Sequence, residues 1–190
     1  SYLSNKNFHE PYCEIDDLVS NNEGLILLTG NYKDFFGKLF YANKIKNLEK
    51  IIEKLKSSFK DRLYIEIQRH GENQEANYEN YLLKLSSLYD LPIIAGQEVY
   101  YLDPSMAEAH DALICIGEKQ FIDDKNRFRY SNQHYLKKNE ELKKLYKDIP
   151  EALENNYNFP LRFNFKPKKS KPILPSISEN KNISAENELM

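Results

Sequence analysis

The chain has 190 residues, 41% hydrophobic and 13% aromatic, with a formal net charge of −2. This length suits one domain with a sizeable core, and the near-neutral balance argues against a domain that grips nucleic acid through its overall charge. No apolar run nears the roughly 18 residues of a membrane span, and the opening residues carry no signal-peptide pattern, so a cytoplasmic protein without a membrane partner is expected.

In chain order, the apolar run Leu25 to Thr29, closed by Gly24 and Gly30, predicts a strand buried on both faces. Phe35 to Leu55 reads as one helix, with Leu48, Ile51, Ile52 and Leu55 on a single apolar face. Arg62 to Gln68 alternates, placing Leu63, Ile65 and Ile67 on one side of a second strand. Helical spacing returns at Tyr78, Tyr81, Leu82, Leu85 and Leu88, and a third strand follows at Ile93 to Ala95. Strands alternating with helices of this length predict βαβ crossovers and a parallel sheet. The fold class is therefore α/β. Beyond it, Pro104 to Ile116 predicts a helix closed by Gly117. Asn139 is placed as the N-cap of a helix with acids first and lysines last, and Pro150 opens another helix. Residues 166–190 read as an extended connector, so the expected division is 1–165 as the domain and 166–190 as the connector.

In parallel α/β folds, reactive side chains gather where strands end. His70 follows the second strand and Glu98 the third, with Tyr100 on the same side as Glu98. These two, His70 and Glu98, are the candidate metal ligands, weighed against a strand-end histidine bonded to the backbone and a structural Glu98–Tyr100 pair. His110 lies at a helical position and reads as packing or capping. His9 and His134 sit in polar segments with no base or nucleophile assigned to them. Asp123 and Asp124 are a pair that could coordinate a cation or serve as turn and cap chemistry. Lysines outnumber arginines 22 to 5, a compositional bias that lowers the weight of Lys166 to Lys171 as a phosphate-binding cluster. Cys13 and Cys115 suggest neither a disulfide framework nor a zinc finger, and Cys115 reads as a small buried hydrophobe.

Several stretches occur together in one order: Glu23 to Gly30, Tyr64-Ile65-Glu66-Ile67-Gln68, Glu108-Ala109-His110-Asp111 and Asp148 to Asn155. In these the chain resembles the later part of the PHP (polymerase-and-histidinol-phosphatase) domain, in the version carried by bacterial DNA polymerase III alpha subunits. The resemblance implies part of a distorted (β/α)7 barrel followed by helices and a connector toward an absent polymerase core. It implies a parent that extends DNA from deoxynucleotides with two Mg2+ ions held outside this chain. It also implies contacts with other holoenzyme subunits, such as the proofreading subunit and the sliding clamp. PHP domains hold zinc or manganese ions through an early His-x-His, a histidine after a strand and a late Asp-x-His. His70 matches the post-strand histidine. The late motif, usually Asn-Asp-Val-His-Tyr, reads Gln97-Glu98-Val99-Tyr100-Tyr101, and a neutral phenol is a far poorer ligand than an imidazole. The early pair has no match in the sequence. The expectation is a structural PHP scaffold with a degenerate metal site, inactive alone. The alternatives are a metal-dependent phosphoesterase or proofreading 3′–5′ exonuclease, and a non-catalytic interaction module for a replication partner.

Overall fold

In a computed structural model, which describes residues 12–169, three parallel strands form a sheet in the order β1 (Leu27–Leu28), β2 (Leu63–Gln68), β3 (Ile93–Gly96). Helices α2 (Phe35–Tyr41) and α3 (Ile45–Phe59) connect β1 to β2, and α4 (Glu75–Tyr89) connects β2 to β3. The α/β class follows from that alternation. A short α1 (Ile15–Ser20) precedes the sheet, and α5 (Ala107–Glu118), α6 (Asn139–Leu145) and α7 (Pro150–Asn158) follow it. Residues through Pro160 form one compact unit. A second unit starts at Leu161; past the short 3-10 turn Phe159–Arg162, its described residues have no regular structure. Ser1 to Leu3, His9, Lys171 and the polar tail lie outside the described residues.

Four expectations shift, each for a local reason. The strand expected over Leu25 to Thr29 pairs only at Leu27 and Leu28, which are half-buried. The Leu25 carbonyl is taken instead by the Arg62 guanidinium at 2.7 Å, so it is withdrawn from the ladder. The single helix expected from Phe35 breaks at Asn43, whose φ of 56° is left-handed. There the Lys44 N–H reaches the Leu39 carbonyl and the Asn43 N–H the Phe40 carbonyl, a paired C-terminal cap that ends α2 before α3 begins. Helix α5 runs through Gly117 and stops at Lys119, again left-handed at φ 55°. Asn139 is the first residue of α6 rather than its cap: Glu141 reaches back to accept the Lys138 N–H at 2.8 Å.

The core lies on one face of the sheet. Leu63, Ile65 and Ile67 alternate onto it and meet Leu48, Ile52, Leu55 and Phe59 of α3 and Tyr78, Leu82 and Leu85 of α4, all buried. This is the pattern that a period of two facing a period of 3.6 predicts. Truncating one of these leucines to alanine costs about 2–5 kcal/mol. The C-terminal segment joins this core through Tyr146, Ile149 and Ala152 and fastens the strands. The buried Tyr146 hydroxyl donates to the Ile67 and Gly96 carbonyls at 3.0 and 3.3 Å, bridging β2 and β3. From α7, Asn155 donates to the Ile93 carbonyl at 2.7 Å. Asn156 accepts the Ala95 N–H at 3.0 Å and donates to the Ala95 carbonyl at 2.7 Å. These amides take the outward hydrogen-bonding positions of β3, where two backbone groups of Ala95 would otherwise be left unsatisfied.

That arrangement sets the expected order of two substitutions in urea denaturation. Asn156→Leu, which strands both Ala95 groups, destabilises by roughly 2–3 kcal/mol, and Tyr146→Phe, which removes a single hydroxyl, by about 1 kcal/mol. Equal and negligible losses would show that α7 does not hold the sheet.

Candidate functional site

The register of β2 on β3 places the site. Gln68 is opposite Gly96, so the chain two residues further on brings His70 level with Glu98. The Glu98 N–H donates to His70 Nε2 at 3.3 Å, and His70 Nδ1 faces Glu75 Oε1 at 3.2 Å. Glu75, in the first turn of α4, also accepts the His70 and Glu72 backbone N–H groups. These bonds pull its carboxyl below the usual range against the opposing effect of burial. His70 is buried, with 4% of its surface exposed. The Tyr100 hydroxyl donates to the Glu98 carboxylate and contacts the Tyr130 hydroxyl at 3.0 Å. Burial, then the bond to Glu98, pushes that phenol well above its ordinary value.

A loop far along the chain completes the cluster. Residues Tyr101 and Tyr135 form a parallel bridge, the Tyr100 N–H donates to the His134 carbonyl at 2.9 Å, and the Ser131 hydroxyl donates to the His70 carbonyl at 2.8 Å. This stitching lays the His134 ring flat on His70, with centroids 4.1 Å apart and planes 4° from parallel. His134 is 1% exposed. Its Nδ1 lies 3.0 Å from the Glu98 carbonyl, which fixes Nδ1 as the protonated nitrogen of the neutral ring. Its Nε2 is buried without a hydrogen-bond partner, 3.6 Å from Glu72 Oε1.

Glu72 faces a third strand end. Lys33, in the turn after β1, places its ammonium 2.9 and 3.1 Å from the two Glu72 oxygens. Around that ammonium stand the rings of Tyr32, Phe128 and Tyr130, with centroids 5.2, 5.2 and 5.4 Å away. The Tyr32 hydroxyl also donates to Glu72. Burial, followed by the charges of Glu75 and Glu98, pushes the Glu72 carboxyl up.

The structure thus brings His70, Glu98 and Tyr100 together, as their spacing predicts, and adds His134, Glu72 and Lys33. The earlier reading of His134 as a polar-segment histidine gives way to one of the most buried side chains in the chain. His110 packs against Tyr100, with centroids 5.1 Å apart. Asp124 caps its own turn by accepting the Phe121 N–H at 2.8 Å, and Cys115 is buried. Tested as a home for the zinc or manganese that the resemblance implies, the arrangement fits poorly. A metal on His70 Nε2 must displace the Glu98 N–H, and the Glu98 Oε1 already accepts from the Tyr100 hydroxyl. Among the described residues no group of three or more His, Cys, Asp or Glu is placed to hold a metal ion.

The chemistry of the stacked rings has a measurable consequence. Burial, then the neighbouring His70, pushes His134 from its ordinary 6.5 down to about 4. The unfolded chain therefore binds this proton first, and the stabilisation is complete above pH 6.5 and lost as pH falls through about 4. Urea midpoints are expected to fall across that window, with up to about 3 kcal/mol traceable to this group. The decline should be shallower in His134→Gln.

No family model matches the chain. Curated proteins do. The DNA polymerase III subunit alpha of Caulobacter vibrioides is 35% identical over 176 residues, covering 93% of this chain and 15% of that protein. The subunit alpha of Vibrio cholerae is 31% identical over 177 residues, covering 93% and 15%, and that of Escherichia coli 31% identical over 166 residues, covering 87% and 14%. The chain spans about 15% of the length of these relatives. By this similarity along nearly its whole length, the chain belongs to the family of bacterial DNA polymerase III alpha subunits, of which it corresponds to one segment.

Proposed function

We propose that this chain is a segment of the alpha subunit of a bacterial replicative polymerase, and that within it the segment is a structural PHP scaffold with a degenerate metal site. The observation that carries the scaffold reading is the Glu98 N–H donated to His70 Nε2 at 3.3 Å. The bond that a metal would need at the post-strand histidine is spent on holding β2 and β3 together. On this reading the three-stranded sheet is part of a distorted (β/α)7 barrel. DNA synthesis from deoxynucleotides, with two Mg2+ ions stabilising the attacking and leaving oxygens, is the work of other parts of the subunit. DNA, the proofreading subunit and the sliding clamp are partners of the whole assembly. A cytoplasmic setting accords with that role, and no described helix is long and apolar enough to cross a membrane.

A second reading, a metal-dependent phosphoesterase or 3′–5′ exonuclease, draws support from the convergence of His70, Glu72, Glu98 and His134 at one edge of the sheet. A third, a non-catalytic interaction module, draws on the exposed Leu113 and Ile116 of α5, 64% and 75% accessible.

Elemental analysis of the longer polypeptide carrying this segment, purified without chelator, separates the first two. The scaffold reading expects no stoichiometric zinc or manganese here and no nuclease activity that depends on His70. Two or three ions per chain, with exonuclease activity abolished by His70→Ala, would replace it with the phosphoesterase.

A further inference from the structure

We infer that Glu72 and His134 form a latent cation seat, that the Lys33 ammonium engages its carboxylate, and that this tethered cation keeps divalent metal ions out of the strand-end site. The inference rests on the scaffold reading above and goes beyond it by naming the residue that competes with a metal for Glu72.

Two independent features define the seat. The first is the acidic side: Glu72, with Glu75 and Glu98 near enough that their charges raise its pKa. The second is the orphaned Nε2 of His134, buried, without a partner, and directed at Glu72 Oε1 across 3.6 Å. Because Nδ1 is committed to the Glu98 carbonyl, the free lone pair of the neutral ring is on Nε2. This is the usual arrangement of a metal-binding imidazole, one nitrogen anchored and the other offered. Zinc bonds to nitrogen and oxygen of roughly 2.0–2.2 Å would span that 3.6 Å gap at a ligand angle of about 120°, near tetrahedral geometry.

Lys33 competes for that carboxylate. Its ammonium is within hydrogen-bonding distance of both Glu72 oxygens. Three aromatic rings surround it; their faces attract an ammonium and provide no lone-pair nitrogens or carboxylates for a dication. The cage is therefore selective: it supplies the positive charge that the acidic cluster requires, in a form that cannot coordinate His134. A metal ion must displace this ammonium before it can use Glu72, the carboxylate that faces His134 Nε2.

The test is metal binding by the Lys33→Ala variant, in this chain and in the longer polypeptide that contains it. ZnCl2 and MnCl2 are titrated calorimetrically into chelator-stripped protein, and thermal unfolding is followed with and without each metal. The variant should bind one ion about tenfold or more tightly than the unaltered protein, and its melting temperature should rise with metal where the parent's does not. Adding His134→Gln should erase the gain. Lys33→Met, which keeps the aliphatic stem against the rings, replaces Lys33→Ala if the smaller side chain unfolds the loop. Binding no tighter in the Lys33 variants than in the unaltered protein, or a gain that survives His134→Gln, overturns the seat. If the unaltered protein binds two or three ions through His70, both the seat and the scaffold reading fall. An unaltered protein without metal, combined with Lys33 variants that gain none, removes the seat alone.

Discussion

The parallel register of β2 against β3 is the constraint on which the rest depends. Gln68 opposite Gly96 puts His70 opposite Glu98, and from that come the N–H donated to the imidazole, the carbonyl turned toward His134 and the plane on which the second ring stacks. A slip of one residue would turn Leu63, Ile65 and Ile67 out of the core and move His70 away from Glu98 in the same step. Core and site are thus specified by one pairing, and the apolar alternation that makes the fold stable is also what aligns the polar residues beyond it.

The site is assembled from the ends of all three strands and one distant loop. Lys33 follows β1, His70 and Glu72 follow β2, Glu98 and Tyr100 follow β3, and residues 128–134 close over them. Opposing charges are held at short range where several of the groups are partly buried, and there an unbalanced group is costly. The Lys33–Glu72 pair limits that cost at one end. At the other, the Arg69 guanidinium bridges Glu79 and Asp148 and lies over the Tyr146 ring at 5.0 Å, tying α4 and the segment before α7 to the end of β2.

Much of this was legible in the sequence. The strands β2 and β3 and the buried faces of α3 and α4 follow from periodicity, and His70 with Glu98 follows from their places after strands. What escaped has physical reasons. The break at Asn43 depends on a left-handed residue that periodicity does not register, and Leu25 left its strand because a side chain 37 residues later took its carbonyl. His134 carries no motif and reaches the site only through loop hydrogen bonds to residues more than 30 positions away. Lys33 was hidden among 22 lysines; its distinction is two rings and a carboxylate supplied by other segments, beside the ring of the adjacent Tyr32.

The two asparagine side chains of α7 have a consequence for how molecules of this protein meet one another. An outer strand with free N–H and C=O groups is a template for recruiting a strand from another chain, and natural sheets guard against it. Here the amides of Asn155 and Asn156 stand in for a neighbouring backbone along β3, taking the Ile93 carbonyl and both Ala95 groups. The opposite border is β1, only two residues long, which offers little for an intruder to copy. Helix α7 therefore also guards the β3 border against strand-by-strand aggregation.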